Sequence, residues 1–140
     1  MVIDTNVLVS AVWRDRTPEA VVRWVLAEPN CHWVVTDEIL AEYLEVLARP
    51  RFALPIALLQ GWRTLLERRT TRWVAESVQF QRDPKDAKFI ACVVAAGADV
   101  LLTGDGDFEG APAEVVRVKM TVRQFHGQFV QPGASGGDGE

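Results

Sequence analysis

The side chains of this chain best equipped for chemistry are its aspartates, and they recur where the chain changes direction. Asp4 follows Val2-Ile3, Asp83 and Asp86 bracket Pro84, and Asp105 and Asp107 lie in Thr103-Gly104-Asp105-Gly106-Asp107-Phe108. Carboxylates converging from separate segments suit a hard divalent cation such as magnesium, which takes oxygen ligands and water. Such an ion lowers the pKa of a bound water and offsets charge on an in-line phosphoryl transition state. The chemistry to expect is phosphodiester hydrolysis.

Each acid also has a plainer reading. Asp4 can cap a helix, Asp83 fits an N-cap best, and Asp105 and Asp107 can simply make a turn. Asp86 is different. Its spacing to Phe89, Ile90 and Val93 puts it on the buried face of the following helix, where a solvated acid does not belong. Glu38, Glu42 and Glu45 share one helical stretch whose apolar stripe is Leu40, Tyr43, Leu44 and Leu47. Glu42 points away from that stripe, though Ile39 and Val46 flank it. By pattern alone all three glutamates are solvated.

The elements that must position these acids alternate. A strand ends at Asp4 and a helix follows. Thr17-Pro18-Glu19 predicts a helix start with Thr17 as N-cap, and His32-Trp33-Val34-Val35 a short strand. Thr36-Asp37-Glu38 opens a helix running to Arg49-Pro50. Pro55 starts a fourth, with Leu58, Leu59, Trp62, Leu65 and Leu66 on one face. Trp73 to Val78 is expected to be extended. Asp83-Pro84-Lys85-Asp86 starts a helix that Gly97 stops. Val100 to Thr103 reads as a buried strand and Val115 to Val118 as the last one. The glycine-rich residues 131–140 are expected to be a disordered tail behind one domain over residues 1–130. Strands alternating with helices predict an α/β domain with a parallel central sheet. Ligand sites in such sheets lie beyond the carboxyl ends of the strands, which is where Asp4 and Asp105 fall.

Composition sets bounds. The chain has 140 residues, a net charge of −4 and two cysteines, Cys31 and Cys92. One domain of this size buries a core without staples, and so few cysteines favour a reducing cytoplasm. No apolar run is long enough to span a membrane, and no secretion signal is expected. The negative charge does not exclude a nucleic-acid partner, because bound cations invert the local charge. Residues 49–72 hold six arginines against the single acid Glu67. Arg49, Arg51, Arg68 and Arg69 are therefore candidates for holding phosphates, with a solvated helix face as the simpler alternative.

The blocks resemble the PIN-domain family, in particular its toxin components of toxin-antitoxin systems, over about residues 2–126. Val2-Ile3-Asp4-Thr5-Asn6-Val7-Leu8-Val9-Ser10-Ala11 is similar to the family's opening strand and its first metal-site aspartate, Asp4. Thr36-Asp37-Glu38-Ile39-Leu40-Ala41-Glu42-Tyr43 with Val46-Leu47-Ala48-Arg49-Pro50-Arg51-Phe52 resembles the second block, and that match selects Glu42. Asp83-Pro84-Lys85-Asp86-Ala87-Lys88-Phe89 resembles the third, with Asp86. The segment from Ala95 to Phe108 resembles the fourth, with Asp105 and the auxiliary Asp107. Two departures are visible: the first strand begins almost at Met1, and Thr121 is not followed by the usual proline.

The resemblance implies a three-layer sandwich of helices around a parallel sheet. It also implies magnesium- or manganese-dependent hydrolysis of single-stranded RNA by Asp4, Glu42, Asp86 and Asp105, with Asp107 as a further metal ligand. Thr5, Asn6 and Thr103 would position ligands or phosphate, although a local helix-start hydrogen bond accounts for Asn6 equally well. Homodimers and a cognate antitoxin blocking the groove are implied partners. The alternatives are a catalytically inactive RNA- or protein-binding module, a nuclease for structured DNA, and a magnesium-binding phosphoacceptor domain. The last lacks the acid pair it needs beside Asp4.

Overall fold

Five short strands form among the described residues, all paired in parallel. The computed structural model describes residues 1–75, 86–104 and 111–131. Strand β1 (Val2–Ile3) leads into α1 (Thr5–Val12) and α2 (Arg16–Ala27). Strand β2 (Val34–Val35) leads into α3 (Asp37–Leu47), a 3-10 turn (Pro50–Phe52) and α4 (Ile56–Arg69). After β3 (Thr71–Arg72) come α5 (Ala87–Ala96), β4 (Leu101–Thr103), α6 (Ala113–Val118), β5 (Lys119–Thr121), α7 (Val122–Phe125) and a π-helical turn (His126–Val130).

The strands form the orders β1-β4-β5 and β2-β3. Val2 pairs with Leu101 and Ile3 with Leu102, while Thr103 pairs with Thr121. The Val34 N–H donates to the Met1 carbonyl at 2.8 Å and brings the two groups of strands together. Parallel strands joined by helices end on one side. Ile3, Val35, Arg72, Thr103 and Thr121 therefore mark one end of the molecule.

Helices cover the sheet because their apolar stripes need a partner. Val7, Leu8, Ala11 and Val12 of α1 are buried, as are Val21, Val22 and Val25 of α2. Helix α5 is apolar almost all round, burying Phe89 to Val93, which suits its place against β1 and β2 and the helices α3 and α6. The innermost large side chains are Trp33, Tyr43, Phe89, Ile3, Leu8, Ile39, Leu47, Leu66, Ile90, Leu101 and Leu102. Each full burial of such a side chain is worth about 1.5–3 kcal/mol. The result is the expected α/β sandwich around a parallel sheet.

Several local expectations are corrected. Val115 to Val118 is helical, not a strand: Pro112 presets the backbone for a helix start, and only Val115 of α6 is buried. The edge strand is formed instead by the next three residues, Lys119–Thr121. Helix α2 starts at Arg16 behind Asp15, not behind Thr17. Pro18 then stands third in the helix, where its missing N–H has no helical partner to lose. The strand expected from Trp73 onward lies at Thr71–Arg72, leaving Trp73 and Val74 exposed. Of the five residues expected on one face of α4, Leu66 is buried and Leu59, Trp62 and Leu65 are half-buried against the core as expected, whereas Leu58 is exposed. The 3-10 turn is an element that the spacing of residues did not predict. Thr121 manages without a following proline. It caps α7 reciprocally with Gln124, the N–H of Gln124 donating to its hydroxyl at 3.1 Å and its own N–H to the Gln124 side chain at 2.9 Å. Residues 132–140 lie outside the described residues.

Candidate active site

Asp4 is where β1 ends and α1 begins. Its N–H donates to the Leu102 carbonyl at 2.8 Å, continuing the β1–β4 ladder by one step and setting it beside Thr103. Asp4 occupies the N-cap position, yet its carboxylate makes no capping hydrogen bond. It is only 6% exposed. A carboxylate placed this deep at a helix start without capping it favours the functional reading over the cap.

Glu42 reaches the same place from α3. Two features of the helix aim it there. Thr36 caps the N-terminus, accepting from the Ile39 N–H at 3.2 Å. Tyr43, fully buried, donates its hydroxyl to the Ile3 carbonyl and accepts from the Trp33 indole at 3.3 Å. Burial pushes the Tyr43 phenol far above its ordinary pKa, and the charges of Asp4 and Glu42 push the same way. The phenol therefore stays a donor, locking α3 to β1 one residue from each acid. Glu42 lies on the face with buried Ile39 and Val46, its side chain 25% exposed. The reading of Glu42 as a solvated acid is corrected on this point. Glu38 is exposed, and Glu45 is turned outward onto Arg49.

The Glu42 carboxylate is occupied on both oxygens. The Thr5 hydroxyl donates to one, and the Lys88 ammonium stands 2.9 Å from the other, its side chain 13% exposed. Lys88 comes from α5, two residues after Asp86. Asp86 precedes the helix in the N-cap position, again with no capping hydrogen bond. The described helix begins at Ala87, and Asp83, where the helix start was expected, lies outside the described residues.

Asp4, Thr5, Asn6, Glu42 and Asp86 line one cavity of about 440 Å³, together with Val9, Val46, Arg49, Arg51, Phe52 and Phe89. Thr103 is buried at the tip of β4, and Asp105 and Asp107 lie outside the described residues. The lining offers carboxylates, a hydroxyl and an amide, with no imidazole or thiol, a donor set that fits a hard divalent cation. Among the described residues, no group of three or more His, Cys, Asp and Glu side chains stands close enough to hold a metal ion. The three described acids fit such an ion in chemistry, and would need further oxygen donors to complete its shell.

The arginines divide. Arg49 and Arg51 line the acidic cavity, and Glu45 holds the Arg49 guanidinium with two hydrogen bonds of 2.9 Å. Arg68 and Arg69 end α4 just before β3 begins, so they sit at the amino-terminal end of the strands. Arg69 donates to the Leu26 carbonyl there. The topology thus divides the four candidate arginines into two pairs near opposite ends of the strands.

Two contributors had no assigned role in the sequence. Lys88 sits two residues before Ile90 and one before Phe89, in a helix with almost no polar face. A lysine in that setting is a signal for a buried ion pair. Tyr43 reads as core, and nothing in the pattern reveals that its hydroxyl ties two elements of the site together.

A family model described as PIN domain matches residues 1–107. No curated protein matches the chain. The matched stretch includes Asp4, Glu42, Asp86 and Asp105 and every element from β1 to β4. With three of these acids brought to the carboxyl end of a parallel sheet, the chain belongs to the PIN-domain family, whose fold is nuclease-like.

Proposed function

We propose that the chain is a magnesium- or manganese-dependent endoribonuclease that hydrolyses single-stranded RNA. The observation that carries this reading is the shared cavity of Asp4, Glu42 and Asp86 with Arg49 and Arg51 on its wall. A divalent cation bound among the acids would activate water and offset charge on the phosphate. Asp4, Glu42 and Asp86 would hold it, joined by Asp105 and Asp107 from the segment after β4. Thr5 orients Glu42 through its hydroxyl, and Asn6 on the cavity wall and Thr103 at the tip of β4 would position ligands or phosphate. Arg49 and Arg51 supply positive charge beside the acids, where an RNA backbone must pass.

The wider role follows from the resemblance of the sequence blocks. The protein acts as the toxin of a type II pair, as a homodimer in the cytoplasm, with an antitoxin that covers the groove. Free Cys31 and Cys92 support a reducing compartment. Among the described residues, no helix is long and apolar enough to cross a membrane.

A second reading, an inactive PIN-fold binding module, draws on one observation. Glu42 is already satisfied by Thr5 and Lys88, so this carboxylate is neutralised without a cation. Cleavage of a labelled single-stranded RNA separates the two. Wild type and Asp4→Asn are purified in parallel and assayed with manganese or with chelator. Cleavage by wild type alone, lost in chelator, is the expected result. Equal behaviour of the two proteins would remove the hydrolytic reading and leave the binding module.

A further inference from the structure

The acidic cavity is walled by α1 and α3 and bordered by Phe52, whose ring adjoins that of Trp13. Asn6, Val9 and Trp13 lie three and four residues apart along α1. Glu42 and Val46 lie four apart along α3, so each set forms one helix face, and Arg49 follows just beyond the C-cap Ala48. Five of these six line the cavity, and Phe52 from the 3-10 turn closes its far side. Trp13, at the C-cap of α1, stands beyond it with its ring centroid 6.1 Å from that of Phe52, tilted by 58°. Trp13 is 51% exposed. The Arg51 guanidinium carbon lies 4.9 Å from the centre of the Phe52 ring.

An exposed indole at a helix end is not unusual by itself. The backbone around this one is. Among the described residues, the two non-glycine residues with positive φ are Arg14 at 62° and Ala53 at 48°. They directly follow Trp13 and Phe52. Each closes a tight turn: Arg14 N–H donates to the Ala11 carbonyl at 3.0 Å and Ala53 N–H to the Pro50 carbonyl at 2.9 Å. A single left-handed residue at a helix end is a common stop, and at a non-glycine residue it carries a cost that surrounding contacts must offset. Here it fixes the two rings at the edge of the cavity.

We infer that Trp13 and Phe52, with Arg51, form a platform that stacks an unpaired nucleobase of the RNA substrate. Bases offer a π-face to aromatic and guanidinium planes whatever their identity, which gives single-strand preference without a sequence code. Trp13 is about 13 Å along α1 from Asp4. A strand with a phosphate at the acids can therefore place a nearby base on the platform while Arg49 meets the intervening backbone. A duplex cannot, because its bases are paired and stacked on each other. The inference rests on the nuclease reading for its substrate class and adds the subsite that selects single strands.

The test is binding of the full chain, in chelator to prevent cleavage, to two labelled oligomers of equal length and charge. One is a single-stranded RNA, and the other carries abasic spacer units in place of nucleosides. The base-bearing oligomer should bind about tenfold tighter. Trp13→Ala should reduce it to the level of the spacer oligomer and leave spacer binding unchanged, and Trp13→Tyr should restore the difference. Equal wild-type affinity for the two oligomers overturns the platform, and that comparison needs no variant to fold. So does an equal loss on both in Trp13→Ala. Binding of neither overturns it as well and leaves the rings to a protein segment. Cleavage measured in parallel separates this from the larger reading. Cleavage without base preference ends the platform alone, whereas base-dependent binding without cleavage ends the nuclease alone.

Discussion

The two ends of the sheet carry very different cavities. At the carboxyl end is the 440 Å³ cavity of Asp4, Glu42 and Asp86. At the amino end is a larger one, about 810 Å³, whose lining includes Met1, Trp24, Cys31, Trp73, Val100, Phe125 and Phe129. Size favours the second and chemistry the first. The larger cavity is mainly apolar, and its acids Glu28 and Asp99 stand at exposed or half-exposed loop positions. In the smaller one, acids arrive from three separate elements, Asp4 buried and Glu42 and Asp86 half-buried. What marks a reactive site is convergent oxygen donors held by a rigid frame, not volume. The parallel topology explains why they converge: helices α1 and α3 both begin at the carboxyl ends of strands, so their N-terminal halves meet there.

Loss of cleavage in Asp4→Asn is the largest effect expected at the acidic end. The arginines sharpen the contrast next. Arg49→Ala with Arg51→Ala should weaken RNA binding and flatten its salt dependence by about 0.7 for each phosphate that is no longer neutralised. Arg68→Ala with Arg69→Ala, at the other end of the strands, should leave the slope unchanged. Titration of binding against salt reads both, and equal slopes for the two double variants would erase the distinction between the ends.

Lys88 is expected to act on stability. Lys88→Met removes the partner of a mostly buried Glu42 and should cost about 1–3 kcal/mol in metal-free protein, less than for a fully buried pair. Thermal unfolding in chelator should show a fall of several degrees, partly recovered when manganese is added. An unchanged melting temperature would mean that Lys88 does not hold the site together.

The smallest effect concerns pH. Burial pushes the Cys92 thiol up to about 11 and the Tyr43 phenol also upward. Both ionise more easily in the unfolded chain than in the folded one. Their contribution is therefore fully present below about pH 9 and is lost as pH rises toward the folded value. Denaturant unfolding at pH 8 and pH 10.5 should show lower stability at the higher pH. In Cys92→Ala that decline should be shallower, and an equal decline would remove Cys92 as its cause.

Most of the architecture can be read along the chain because it is carried by local signals. The capping residue Thr36, the stop at Gly97 with φ of 59°, and the buried run Leu101–Thr103 behave as their types predict. Where elements were shifted, the cause is shared. Val115 to Val118, and Trp73 with Val74, are β-branched or aromatic runs whose state depends on which strand edge is available, and that edge belongs to a distant segment. Residues 76–78 of the run expected to be extended lie outside the described residues. β-propensity expresses fit to a half-buried pleated surface, so it cannot locate that surface. At the site, Asp4 and Asp86 could be proposed from position alone, since strand ends and inward helix starts are local features.

Glu42 could not. Three glutamates in one helix are equivalent until α3 is rotated against β1, and that rotation is set by Tyr43 and Trp33 reaching the Ile3 carbonyl some forty residues back. The same holds for Lys88 on Glu42 and for Trp13 beside Phe52. What the sequence by itself determined is the family, the order of the elements and the supply of acids. Which of them share a cavity, which arginines join them and which rings flank them was decided only in the tertiary structure. The reason is that each depends on a helix orientation fixed by buried contacts between residues far apart in the chain.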